Sequence, residues 1–248
     1  MIDLPWPALA AVAAAVTLGY TVFGFCGFGA GIVVLPLVAH VLPLREAVPM
    51  MLVLDIATSL TLGLQSRGLV DRRELLRLVP WLLAGMGVGI VVLARAHETW
   101  LLATLGVFVA ANAAWSLVGR LAAQPVAPGW AVPAGLVGGT FSAMFGTGGP
   151  VYTLFLARRI HDTVRLRATI GTLILLSAAL RAVLLVGGGF FAQRGVLPLA
   201  LAMLPCAAIG YAVGSRWSAR VPQDRVRRAI WLLLLASGAS LVVRAAVS

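Results

Sequence analysis

The chain has 248 residues, 61% hydrophobic and 11% charged, with a mean hydropathy of +1.01. A water-soluble domain of this length cannot hide so much apolar surface, so lipid is the solvent for most of the chain. The net charge of +11 comes from nineteen basic residues, all arginines, set between apolar stretches as orienting charges are, which excludes nucleic acid as the partner.

The N-terminus lacks a basic leader region and has Asp3 as its only early charge, so it is expected to stay in the mature protein. Residues 6–40 are apolar with one glycine-rich break at 24–31, and residues 46–64 form a span with Asp55 in its middle. A polar connection from Gln65 to Arg77 precedes spans at 78–94 and 100–119. A short segment, 124–128, with two prolines reads as a join. Residues 130–157 repeat the broken pattern, with the break at 145–150. An arginine-bearing connection at 158–167 leads to spans at 168–186 and 196–215, an arginine-rich loop, and a last span at 229–246. The pattern predicts an all-α polytopic membrane protein.

The halves resemble each other. The breaks align at a spacing of 117 residues, and Pro80, Gly85, Gly89 and Arg95 stand 125 residues before Pro205, Gly210, Gly214 and Arg220. The eight extra residues fit the stretch from Gly187 to Pro198. Duplication is the expected origin, with residues 1–123 as the first repeat and 129–248 as the second, together one transmembrane domain. The paired glycines are expected to permit close helix packing. If each broken segment is a re-entrant-like hairpin followed by three transmembrane helices, the repeats are inverted. Connections 65–77, 119–129, 158–167 and 215–228, with fourteen arginines, then share one side; Arg45, Arg95, Arg194 and Arg244 take the other. By the positive-inside rule both termini are expected outside the cytoplasm.

Interrupted backbone inside a membrane must be buried in protein or line a wet cavity, and two interruptions at matching places point to a substrate site. A helix that starts there has unpaired N–H groups and a partial positive charge, which suit an anion. Gly27, Phe28, Gly29 and Gly31 of one break, with Gly146, Thr147, Gly148 and Gly149 of the other, are the expected substrate-binding residues, converging on one small anion. Thr147 adds a hydroxyl, and Pro150 suits the first turn of a helix beginning at the tip.

Asp55 costs about 2.5–3.5 kcal/mol in mid-membrane, so it is expected to face the bundle interior, protonated or paired, as a candidate proton- or cation-coupling group. Arg181 either snorkels to the interface, faces the anion or pairs with Asp55. Thr169, Thr172 and Ser177 either line the same cavity or bond a carbonyl one turn back. Cys26 and Cys206 read as buried small hydrophobes. His40, His97 and His161 lie at span ends or in loops, so no metal site is expected. No nucleotide or dinucleotide fingerprint occurs in its required context, so neither a cofactor nor an enzyme is expected.

Residues Gly24-Phe25-Cys26-Gly27-Phe28-Gly29-Ala30-Gly31 followed by Ile32-Val33-Val34-Leu35-Pro36, and Met144-Phe145-Gly146-Thr147-Gly148-Gly149-Pro150, give the chain a further meaning. With the duplicated organisation, they make nearly the whole chain resemble the TauE/SafE family of sulfite exporters. Ala30 interrupts the glycine run that family members carry in the first motif. The resemblance implies a plasma-membrane exporter or permease of sulfite or of organosulfonates such as sulfoacetate. The expected function is a secondary transporter of small anions working by alternating access, with a possible coupling proton on Asp55. The alternatives are an anion channel or an uptake permease for another small organic anion.

Overall fold

The computed structural model of the chain describes residues 5–26, 29–63, 70–118, 125–192, 195–218 and 223–247. Their regular structure is entirely helical. The first half holds α1 (Trp6–Cys26), α2 (Ala30–Val38), α3 (Leu44–Gly63), α4 (Arg72–Arg95) and α5 (Glu98–Val118). The second holds α6 (Ala131–Phe145), α7 (Gly149–Ala157), α8 (Thr163–Gly187), α9 (Val196–Ser218) and α10 (Gln223–Val247). Each half therefore runs as a broken pair followed by three long helices.

Among the described residues six helices are long and apolar enough to cross a membrane: α1, α4, α5, α8, α9 and α10. The stretch read as a span at 46–64 forms α3, which has comparable length but carries Arg45, Glu46 and Asp55. Several helices begin earlier than the apolar runs do. α4 starts at Arg72 rather than 78, because the Asp71 carboxylate accepts from the Arg73 and Glu74 N–H groups at 3.1 Å each. α8 starts at Thr163 rather than 168, capped by Asp162, which accepts from Val164 at 2.8 Å and Arg165 at 3.3 Å. Hydropathy marks the lipid boundary; the caps mark the helix boundary.

Both breaks turn on a left-handed glycine. Gly29 has φ 94° and Gly146 has φ 67°, and they stand 117 residues apart. A side chain costs roughly 1–2 kcal/mol in this conformation, which is why glycine occupies both positions. After each turn the chain doubles back. Gly19 of α1 lies against Val34 of α2, and Gly138 of α6 lies against the Tyr152 ring of α7. The returning limbs have nine residues each, about 14 Å of helix at 1.5 Å per residue, roughly half the hydrocarbon thickness.

The helices form two compact units, each drawing on both halves of the sequence. One comprises Met1–Leu54, Arg95–Arg120 and Phe191–Ser248. In it α9 lies on α1, with Gly210 against the Thr17 carbonyl and Gly214 against the Thr21 carbonyl, and α5 crosses α10 at Gly106 and Gly238. The other comprises Asp55–Ala94 and Leu121–Phe190. In it α4 lies on α6, with Gly85 against the Leu136 carbonyl and Gly89 against the Thr140 carbonyl. The Thr140 hydroxyl donates to the Gly85 carbonyl at 3.1 Å. In both units a glycine-paired helix of one half packs on the first limb of the other half's broken segment. The backbone contact is too close for any Cβ, as small-residue packing in membranes requires. The core of the second unit joins Leu78, Leu82 and Met86 of α4 to Tyr152, Phe155 and Leu156 of α7 and Leu173 of α8.

Candidate functional site

The break between α6 and α7 positions the site. Its first two amides close α6: Gly146 N–H donates to the Ser142 carbonyl at 2.9 Å and Thr147 N–H to the Phe141 carbonyl at 3.3 Å. At the start of α7, Val151 and Tyr152 N–H donate to the Gly148 carbonyl at 3.1 and 3.2 Å. The Gly148 and Gly149 N–H groups have no acceptor among the described residues, and Pro150 has no N–H. The amides expected to hold an anion are thereby narrowed from four to two.

Arg181 reaches this tip from α8. Its side chain is only 3% exposed, and Nη2 donates to Asp55 Oδ2 at 2.6 Å. Nη1 points at the Ser142 carbonyl at 3.4 Å and fills the place where a side chain on Gly146 would begin. Gly146 thus has two reasons to be glycine: its turn and the guanidinium beside it. Of the three readings of Arg181, snorkelling is excluded by its burial, and pairing with Asp55 is observed. The Asp55 side chain keeps 19% exposure, so the pair is open on the carboxylate side.

Around this pair several donors are left over. Thr147 Oγ1, Tyr152 Oη and Arg181 Nε are buried without a well-aligned hydrogen bond. Thr147 and Tyr152 are each 1% exposed. A buried polar group left in this state costs about 1–3 kcal/mol, so several together make this tip the candidate binding place.

Six of the sequence-predicted residues, Asp55, Gly146, Thr147, Gly148, Gly149 and Arg181, come together in the second unit. Gly29 caps α2 and Gly31 is buried in its first turn, in the first unit. Gly27 and Phe28 lie outside the described residues. The hydroxyls of Thr169, Thr172 and Ser177 bond back to carbonyls of their own helix, at 2.7, 2.9 and 2.9 Å. Tyr152 and Glu74 were not marked by any sequence motif. Tyr152 belongs to an apolar run three residues past Gly149. Glu74 looked like one charge in a polar connection.

Glu74 is 5% exposed and its Oε1 accepts from Arg77 at 2.6 Å and Arg159 at 2.8 Å. Arg159 also donates to the Val126 carbonyl at 3.1 Å. The hydrogen bond it donates to Glu74 holds the Arg159 guanidinium even more firmly protonated than usual. Nearby, the Asp71 N–H donates to Thr169 Oγ1 at 2.9 Å. These bonds tie the start of α4 to the segment before α6, the end of α7 and the start of α8.

The family model of the sulfite exporter TauE/SafE matches residues 11–241. A protein of Comamonas testosteroni described as "Probable inner membrane transporter protein TsaS" is 30% identical over 196 residues, 77% of this chain and 81% of its own length. No solved structure matches the chain. A match over nearly the full length, joined to membrane-length helices and two glycine-turned breaks, settles the class: the chain is a multi-pass membrane transporter rather than an enzyme, and it belongs to the sulfite exporter TauE/SafE family.

Proposed function

We propose that this chain carries a small sulfur oxyanion or organosulfonate across the plasma membrane as a secondary transporter. The anion docks at the start of α7, on the Gly148 and Gly149 amides, the Thr147 hydroxyl and the Arg181 guanidinium. The same kind of role is assigned to Gly29 and Gly31 at the start of α2. Net flux follows the combined gradients of the anion and of the proton bound with it. The observation that carries this reading is the buried Arg181, whose carboxylate partner among the described residues is Asp55 and whose Nε has no hydrogen-bond partner there. The family's name and the relative's description as an inner membrane transporter support it.

The geometry also suggests how a proton couples. With Nη2 on Asp55 and Nη1 toward Ser142, an oxyanion that grips the Nε and Nη2 edge of Arg181 competes with Asp55 for Nη2. The anion takes that grip only when the Asp55 carboxylate lets go, and a proton on Asp55 releases it. Anion and proton therefore bind together. Affinity should rise as pH falls, by up to about tenfold per pH unit for one linked proton. Methanesulfonate, whose charge is constant over this range, is the probe for binding to purified protein and for flux in proteoliposomes. Asp55→Asn should bind it at a pH-independent affinity and lose pH-driven flux. Unchanged pH dependence in Asp55→Asn would remove Asp55 from the coupling. A channel would instead give single-channel currents with no proton linkage.

A further inference from the structure

Gly138 and Gly148 together make room for one side chain, that of Tyr152. The ring lies against Gly138, and Oη stands 2.8 Å from where a Cβ on Gly148 would be. Any residue larger than glycine at either position would meet the phenol. The hydroxyl is thereby fixed beside the Gly148 backbone, whose N–H is itself unpaired. Tyr152 is 1% exposed and its Oη has no well-aligned partner, although the Ser142 side chain is close by and Arg181 is within electrostatic reach. Thr147, also 1% exposed and also unpartnered, flanks the same amide. Each of these unpartnered groups, the two hydroxyls and the amide, can donate a hydrogen bond.

We propose that Tyr152 contacts the substrate directly: its hydroxyl, with that of Thr147 and the Gly148 amide, donates to the oxygens of the anion's head. This rests on the anion site proposed above and extends it in one respect. Three donors on one short stretch, besides the guanidinium, match a head group with three oxygens better than a carboxylate with two. Tyr152 then sets the preference for SO3-type heads over carboxylates. Each donor hydrogen-bonds a charged acceptor, so its loss weakens binding by about ten- to a hundredfold.

The test is binding of sulfite and of acetate to the purified full chain, with thermal stability measured alongside. Tyr152→Phe should weaken sulfite binding about tenfold or more, leave acetate nearly unchanged, and leave the melting temperature equal or higher, because it removes a buried hydroxyl without a partner. Thr147→Val should act in the same direction and Thr147→Ser should retain affinity, which keeps the test alive if the Tyr152 variant does not fold. Ser142→Ala is the control. If it reproduces the Tyr152→Phe loss, the phenol acts by holding Ser142, and the direct contact is overturned. Wild-type protein that binds sulfite while Tyr152→Phe binds it equally well overturns the assignment of Tyr152 alone. Wild-type protein that binds neither anion overturns the anion site itself.

Discussion

Arg159 and Arg181 belong to the same helical unit and each pairs with a carboxylate, the buried Glu74 and the partly exposed Asp55, yet their surroundings differ. Glu74 is shared between Arg159 and Arg77, whose side chains are 22% and 28% exposed, and Arg159 has a second acceptor in the Val126 carbonyl. What is left over there is balanced: one acceptor, Glu74 Oε2, and one donor, Arg159 Nε. Arg181 is far more buried and, among the described residues, pairs with one carboxylate; its own Nε is left over, as are two hydroxyls and two amides of the break it reaches. An ion network that ties helices together comes close to satisfying itself. A surplus of donors in a buried place calls for an acceptor, and in the function proposed above that acceptor is the substrate.

The contrast can be broken most forcefully at Arg181. Arg181→Gln leaves Asp55 without its guanidinium, a loss of about 3–5 kcal/mol for a buried pair broken from one side. It should abolish anion binding and sharply lower folded yield. Adding Asp55→Asn should restore the yield, measured by thermal unfolding in detergent, without restoring binding. Breaking the other cluster should separate the two effects. Glu74→Gln replaces a carboxylate shared by two arginines, and should cost about 1–3 kcal/mol of stability. Sulfite affinity of the protein that folds should stay within about twofold. A large loss of affinity there would mean that the two clusters are not functionally distinct.

The two left-handed glycines sharpen the same comparison at a smaller scale. Gly29→Ala and Gly146→Ala both force a side chain into the left-handed turn, at roughly 1–2 kcal/mol. At Gly29 the new Cβ would stand 3.3 Å from Ile32 and touch little else. At Gly146 it would displace the Arg181 guanidinium from its place by Ser142. Both variants should melt earlier, Gly146→Ala by more, and Gly146→Ala alone should also disturb the Arg181–Asp55 pair, read as a changed pH dependence of anion binding. Equal pH profiles would show that Gly146 serves the turn only.

Much of this was legible in the chain. Gly-rich interruptions in apolar runs gave both breaks, because glycine is needed where helical backbone turns left-handed and little else explains it there. The spacing of Gly85 and Gly89, matched by Gly210 and Gly214, gave the helix faces that pack closely. Asp55 stood out because a carboxylate in an apolar run must find a partner. The partner itself was one of several readings of Arg181, since a sequence separation of 126 residues leaves no local trace. Tyr152 was invisible because a tyrosine in an apolar helix reads as packing, and only the fold shows that its buried hydroxyl lacks a well-aligned hydrogen bond. Glu74 was invisible for the opposite reason: a charge among arginines in a polar stretch reads as solvated. The amides of Gly146 and Thr147 were credited to the ligand because the turn that closes α6 depends on three-dimensional geometry.

Calorimetric titration of sulfite into purified protein tests the central claim most directly, comparing wild type with the Arg181→Gln/Asp55→Asn double variant. The double variant removes both charges of the pair and leaves no unpaired charge behind, so fold and site are separated. The account predicts saturable binding to wild type and none to a folded double variant. Equal sulfite affinity in the two proteins would contradict it.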